Sequence, residues 1–322
     1  MRNSLFGLPL LAAALFSGMS LSAEEFPKAE ISSGKMRAQL YLPDAQRGYY
    51  RGTRFDWSGV ISSLQYDGHE YFGVWFERHD PFIHDAITGP VEEFRTGETA
   101  LGYAEAKPGG TFVRIGVGVV RKPEEPAYKG LHTYEILDNG KWAVKKGSDW
   151  IEFNHLLDAG NGYGYAYTKR ISLSGNVMTI AHSLRNTGAK VIETEQYNHN
   201  FFVMDQRPSG PEFTVTFAFT PRALLDLKGM AAIRDRQLVY LRELQKGESV
   251  FSGIEGFGAG ANDYSVEVQN HKTGAKVKIT GDRPLSRVNY WSIQTTLCPE
   301  PFISLHIEPG KEENWTYRYE FQ

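Results

Sequence analysis

IAHSLRNTGAKVIETEQYNHNFFV, residues 180–203, reads as two strands parted by a turn. The first ends in Leu184-Arg185-Asn186-Thr187-Gly188. The second leads into Tyr197-Asn198-His199-Asn200-Phe201-Phe202. Similar units extend to both sides. Val60 to Tyr66 ends at Asp67-Gly68, a hairpin-turn dipeptide, and Tyr71 to Phe76 is the expected return strand. Phe112 to Val119 alternates as one strand. Lys141–Lys146 and Trp150–Leu156 make a pair, and Tyr163–Leu173 precedes Val177–Asn186. Phe213 to Phe219 alternates cleanly. Tyr264–Asn270, Lys276–Thr280, Val288–Thr296, Ile303–Ile307 and Glu313–Phe321 complete the series. Helical signals are thin: residues 222–245 hold one or two short helical turns, or strand over Ile233–Leu244. Repeated short strands with turns between them predict an all-β fold, a large antiparallel β-sandwich. No linker, repeat or composition shift divides the chain, so residues 28–322 read as one domain.

The N-terminus reads differently. Met1-Arg2-Asn3 is a short basic start, residues 4–23 carry no charge, and Glu24-Glu25 opens a polar sequence. That order predicts a signal peptide over residues 1–23, with cleavage after Ala23, and a periplasmic or secreted protein. An uncleaved anchor is the competing reading. The net charge is −3; without Arg2, residues 24–322 carry −3 − 1 = −4. A chain so close to neutral lacks the basic face that nucleic acid requires. It also lacks one for docking on anionic lipid, so no membrane partner is expected once the signal is cut. The single cysteine, Cys298, excludes an intramolecular disulfide. Aromatics make up 13% of the chain; they fill sandwich cores and also pack on the C–H faces of sugar rings.

The segment at 180–203 resembles the aldose 1-epimerase (galactose mutarotase) superfamily. In that superfamily a turn of similar form precedes an Asn-His motif whose histidine is the general acid. His199 takes that place, with Asn198 before it and Phe202 after. The C-terminus is similar too: Pro309-Gly310-Lys311-Glu312, then the aromatic run Trp315 to Phe321. The resemblance implies a galactose mutarotase-like supersandwich that acts on a carbohydrate, with a catalytic glutamate on a strand before that ending. Glu300, in Cys298-Pro299-Glu300-Pro301, fits the glutamate best, and Gln294 is the competing alignment. Glu308 reads as a surface turn. The chemistry asks for such a pair. Mutarotation needs a base for the anomeric hydroxyl proton and an acid for the ring oxygen, each within hydrogen-bond reach and tuned toward the working pH. No cofactor or metal is required.

The first half of the chain lacks the superfamily's motifs. Gly48 to Gly59 instead packs aromatics, Arg51, Arg54 and Asp56 into one loop-like stretch. Arginine forks and aromatic faces orient polar ligands. Arg51, Arg54, Asp56, His84 and Glu93 are therefore candidate substrate contacts, with His132 and His155 behind them. His69 reads as turn surface. His79-Asp80 and His84-Asp85 imitate a metal cluster, but their spacing matches no standard zinc motif. Three readings compete with an epimerase: a non-catalytic carbohydrate-binding protein, a lyase or glycosidase on the same scaffold, and a purely structural envelope protein, which would leave the motif unexplained. A glycosidase would want two carboxylates at a set separation.

Overall fold

A computed structural model describes residues 26–322; the expected signal peptide lies outside the described residues. The first strands are β1 (Lys28–Ser33), β2 (Met36–Tyr41), β3 (Val60–Tyr66), β4 (His69–Glu70) and β5 (Gly89–Arg95). β6 (Thr111–Arg114), β7 (Gly118–Arg121) and β8 (Ile136–Asp138) follow. Next come β9 (Lys141–Lys146), β10 (Trp150–Asp158), β11 (Gly164–Ser174), β12 (Val177–Asn186) and β13 (Ile192–Phe201). β14 (Phe213–Phe217), β15 (Arg222–Ala223), β16 (Ala231–Arg234), β17 (Gln237–Tyr240) and β18 (Ser249–Glu255) lead on. β19 (Ser265–Asn270), β20 (Lys276–Gly281), β21 (Arg287–Ile293), β22 (Thr296–Ile307) and β23 (Glu312–Phe321) complete the fold.

Two sheets make the sandwich, and every pairing in them is antiparallel. The larger has ten strands, ordered β16-β17-β14-β19-β20-β23-β12-β11-β10-β9. The smaller has six, ordered β15-β18-β21-β22-β13-β5. β1 to β4 and β6 to β8 form two small flanking sheets. Alternation decides which side chains enter the core. On β23 one face carries Trp315, Tyr317, Tyr319 and Phe321, all buried, while Thr316, Arg318 and Glu320 point away. A second apolar cluster lies on the outer face of the six-stranded sheet. Tyr50, Phe55, Trp57 and Ile87 pack there against Val91, Phe201 and Cys298.

Several sequence expectations need correction. Residues 222–245 hold no helix; they form β15, β16 and β17. The return strand after Asp67-Gly68 is His69–Glu70 only, because the chain then turns inward and Phe72 bridges to Phe202. His69 is not free turn surface either: its Nδ1 lies 2.9 Å from Asp205 Oδ2. Phe112–Val119 is two strands. Gly116 and Gly118 have φ of 78° and 146°, and a Cβ on Gly118 would lie 2.1 Å from the Asp138 carbonyl oxygen. The expected Ile303–Ile307 strand begins at Thr296, so Glu300 sits on a strand and not in a turn.

The two sheets are joined by charge as well as by apolar packing. Lys169 on β11 and His182 on β12 are direct cross-strand neighbours facing the core. Glu92 reaches them from β5 of the opposite sheet. Its Oε2 accepts from Lys169 Nζ, and its Oε1 lies 3.1 Å from His182 Nε2. All three are buried, and His182 stacks on Trp315 at 4.7 Å. Burial alone would raise the Glu92 carboxyl; Lys169 and His182 hold it below its usual range. Removing one partner of a buried pair costs more than removing both, because an uncompensated charge remains. Lys169→Met should therefore cost about 3–5 kcal/mol in urea unfolding. Adding Glu92→Gln to the same chain should recover most of that loss. A double variant no more stable than Lys169→Met would contradict this account.

Candidate active site

β13 turns its residues alternately to the two faces of its sheet. Gln196, Asn198 and Asn200 face the core and are satisfied there. Asn198 Nδ2 donates to Tyr319 Oη at 3.1 Å, and Tyr319 Oη donates to Asn200 Oδ1 at 2.8 Å. Tyr317 donates to Gln196 Oε1. The two asparagines flanking His199 thus tie β13 to β23. Tyr197, His199 and Phe201 face outward.

The neighbouring strand explains how Glu300 meets His199. A residue's N–H and C=O point to the same side of a strand. The Pro299 carbonyl accepts from Asn200 Nδ2 at 2.7 Å, so its missing N–H would also have pointed at β13. The β13–β22 ladder accordingly breaks after the Tyr197–Phe302 pair and resumes in the same register at Phe202–Leu297. Within the gap, β13 pairs only with β5, and β22 pairs with β21. Glu300, opposite Asn289 on β21, projects from the same face as His199 within this gap in the ladder.

His199 Nε2 lies 3.1 Å from Glu300 Oε1, and the two residues are 4% and 5% exposed. The imidazole stacks on Phe201 at 3.9 Å, with the edges of Phe55 and Trp291 closing in at 5.7 Å. Its Nδ1 is buried without a hydrogen-bond partner. Burial, helped by the nearby Arg54 charge, pushes the His199 imidazole down to about 3. Burial also pushes the Glu300 carboxyl up to about 8, against the opposing pull of Arg54 and a hydrogen bond from Asn289. At neutral pH the pair therefore holds one proton, on the carboxyl, beside a neutral imidazole.

A chain of charged groups leads up to the pair. Arg54 Nε donates to Glu93 Oε2 at 2.9 Å, its second nitrogen pairs with Asp85, and its third donates to Tyr197 Oη at 3.3 Å. The guanidinium lies over the Phe55 ring at 4.5 Å. Tyr197 donates to Glu93 at 2.5 Å, and the buried Arg114 lies 3.5 Å from the other Glu93 oxygen. Arg114 also donates to the Thr53 carbonyl at 2.7 Å, anchoring the loop that carries Arg54. Burial would raise both carboxyls. Arg54 and Arg114 hold Glu93 below its usual range, and Arg54 and His84 bring Asp85 to about 2. His84 Nδ1 is 2.9 Å from Asp85 Oδ2.

Of the residues singled out from sequence, His199, Glu300, Arg54, Glu93 and His84 thus converge. Gln294 falls in the turn after β21, where its carbonyl accepts from the Ser209 amide, so Glu300 is the residue set against His199. The other candidates require correction. Asp56 is buried on the core side, accepting from the Ser58 amide at 2.9 Å and Tyr167 Oη at 3.2 Å. His155 is a core residue, held between the Asn139 carbonyl at 2.7 Å and Tyr165 Oη at 3.1 Å and stacked on Trp142. His132 is exposed, its ring edge-on to Tyr134. Arg51 caps Phe82 at 4.5 Å and donates to the Gln46 carbonyl at 2.7 Å, joining two loops. Among the described residues, no group of three His, Cys, Asp or Glu side chains converges to hold a metal. Sequence reasoning missed Tyr197, Asn289 and Trp291. The first is two residues before His199, hence on its face of the strand; the other two needed the register of β21.

No family model matches the sequence, and no curated protein matches it significantly. Solved structures do match. A galactose mutarotase related enzyme from Lactobacillus acidophilus aligns with a TM-score of 0.57 at 14% identity, over 92% of this chain and 97% of that one. A GalM/aldose epimerase homologue from C. elegans gives 0.56 at 14%, over 92% and 98%. A galactose mutarotase-like protein from Clostridium acetobutylicum gives 0.57 at 12%, over 91% and 94%. The chain has the galactose mutarotase-like fold, at an identity that marks it as divergent from these structures.

The protonation state can be read directly. In nitrogen-15 NMR the His199 ring should stay neutral from pH 7.5 down to pH 5, since its folded value is about 3. A midpoint between 6 and 7, the ordinary range for histidine, would contradict the neutral pair.

Proposed function

We propose that this protein is a carbohydrate-active enzyme of aldose 1-epimerase type, interconverting sugar anomers at His199 and Glu300. What carries the reading is the 3.1 Å approach of Nε2 to Oε1 on one aromatic-walled face. The anomeric hydroxyl and the ring oxygen are bonded to the same carbon. The groups that serve them must therefore lie within one sugar ring of each other. The sugar enters by coming between the two groups, which now approach to 3.1 Å. In the neutral pair the His199 imidazole takes the anomeric hydroxyl proton while the Glu300 carboxyl protonates the ring oxygen. The assignment drawn from the resemblance, Glu300 as base and His199 as acid, is the tautomer in which the carboxyl has first passed its proton to the imidazole. The bond between C1 and the ring oxygen breaks, giving the open-chain aldehyde. Rotation about C1–C2 and reversal of the same transfers close the ring on the other face. The pair holds one proton throughout, so either tautomer balances the reaction. Arg54, pinned by Glu93 and Asp85, is placed to fix the local field and to contact sugar hydroxyls. Export remains part of the proposal. The mature protein should begin near Glu24 on N-terminal sequencing, and retention of residues 1–23 would overturn that part.

The test is anomer exchange, followed by NMR or polarimetry across a panel of aldoses. His199→Asn and Glu300→Gln should each lower kcat by about 10²-fold or more. Wild type no faster than Glu300→Gln on every aldose would leave a carbohydrate-binding protein instead. The pH profile has a defined sign. Above about pH 8 the Glu300 carboxyl loses the shared proton and no acid remains; near pH 3 a second proton removes the base. The value of kcat/KM should thus be flat near neutrality and fall on an alkaline limb at about pH 8.

A further inference from the structure

The face that carries Glu300 does not end at the acid–base pair. Along β21 the side chains Asn289, Trp291 and Ile293 share that face. At a rise of about 3.3 Å per residue, this line runs roughly 13 Å away from Glu300. It leads into a trough of about 390 Å³ walled by Trp75 and Phe76 and floored by Ile293 and Gln294, within the size range of ligand pockets. Trp75 joins the two places. One of its faces stacks on Phe201 at 4.8 Å, and Phe201 stacks on His199; its ring also meets Trp291 edge-on at 5.7 Å. Phe251 sits directly across the strand from Trp291 and is 48% exposed. Lys246 and Glu77, both exposed, pair across the rim.

We propose that this trough is a second subsite taking further sugar units of a glycan whose reducing end lies at His199 and Glu300, so that the substrate is an oligosaccharide. The inference rests on the epimerase reading for the position of the reducing end. Its occupant follows from what lines it. Flat aromatic side chains line the trough and its approach, and they suit the C–H faces of pyranose rings. The polar groups at its edge, Gln294, Glu77 and Lys246, suit their hydroxyls. Continuity along β21, the strand paired beside Glu300, distinguishes the trough from an unrelated surface patch. An exposed phenylalanine beside a half-buried tryptophan is costly in water and becomes useful when a ring covers it.

The experiment uses the mature protein with glucose, N-acetylglucosamine and the maltose, cellulose and chitin oligosaccharides up to six units. Binding is read by tryptophan fluorescence and calorimetry, and anomer exchange by NMR. In at least one series Kd should fall about tenfold or more from monosaccharide to trisaccharide, the size of one good aromatic contact. Phe251→Ala and Phe76→Ala should each remove most of that gain while leaving exchange on monosaccharides unchanged. The proposal is overturned if no oligosaccharide binds more tightly than its monosaccharide. It is also overturned if the two variants weaken monosaccharide and oligosaccharide alike. Length-dependent binding without any anomer exchange would keep the trough and reject the epimerase. Exchange that depends on His199 and Glu300 but not on chain length would do the reverse.

Discussion

The buried link of Glu92 to Lys169 and His182 is the constraint on which the site depends. It crosses the sandwich, from β5 of one sheet to β11 and β12 of the other. Strand periodicity is two, so a residue fixed inward fixes its neighbour outward. Glu92 faces the core; Glu93 therefore faces the site, where it receives Arg54 and Tyr197. A slip of one residue one way would place Glu92 beside Tyr197 and leave Lys169 and His182 facing Val91; the other way it would put Glu93 against Lys169 and leave Arg54 and Tyr197 facing Phe94. The register of β5 against β13 is in this way written into a charge pair that has no part in the chemistry. A buried ion pair is a poor source of net stability but a strict condition on alignment.

The same logic of alternation runs through β13. Its core face is polar, yet satisfied by tyrosines of β23, and its outer face presents Tyr197, His199 and Phe201 in line. The proline-flanked stretch of β22 then interrupts the ladder where the site begins. The local gap frees Glu300 to meet His199 edge to edge, in a place dry enough that neither group is charged at neutral pH. Arg54 is the nearby cation, and two carboxylates balance it. The acid–base pair thus sits beside a compensated field.

Much of the fold was legible from alternation and turn residues, because burial on one face writes a period of two into the sequence. The Asp67-Gly68 hairpin was readable, with both residues at positive φ. The short return strand was not, since Phe72 leaves the ladder for a distant partner, Phe202. Gly116 and Gly118 kept the apparent alternation of one strand while their backbone broke it into two. For the site, His199 and Glu300 were readable from their surroundings in sequence. Asp56 and Arg51 were drawn in by their neighbours' chemistry, and His155 by its residue type alone. Nothing in their local sequence distinguishes a core or loop-bracing role from a ligand contact. That distinction depends on which face of which strand each one occupies.

Charge around the site also bears on what it can accept. Each arginine there is bonded to carboxylates: Arg54 to Glu93 and Asp85, Arg114 to Glu93, Arg95 to Glu98, and Arg287 to Glu195. A phosphorylated sugar calls for a guanidinium or ammonium that it can claim, and taking one of these would strand a carboxylate, one of them, Glu93, well sheltered from water. A neutral sugar makes no such demand. On the proposed reading it would exchange hydroxyl bonds with groups already paired and lay its apolar faces on Trp291 and, further out, Trp75. If the site acts on a sugar as proposed, the pairing of these arginines therefore favours a neutral carbohydrate over an anionic one.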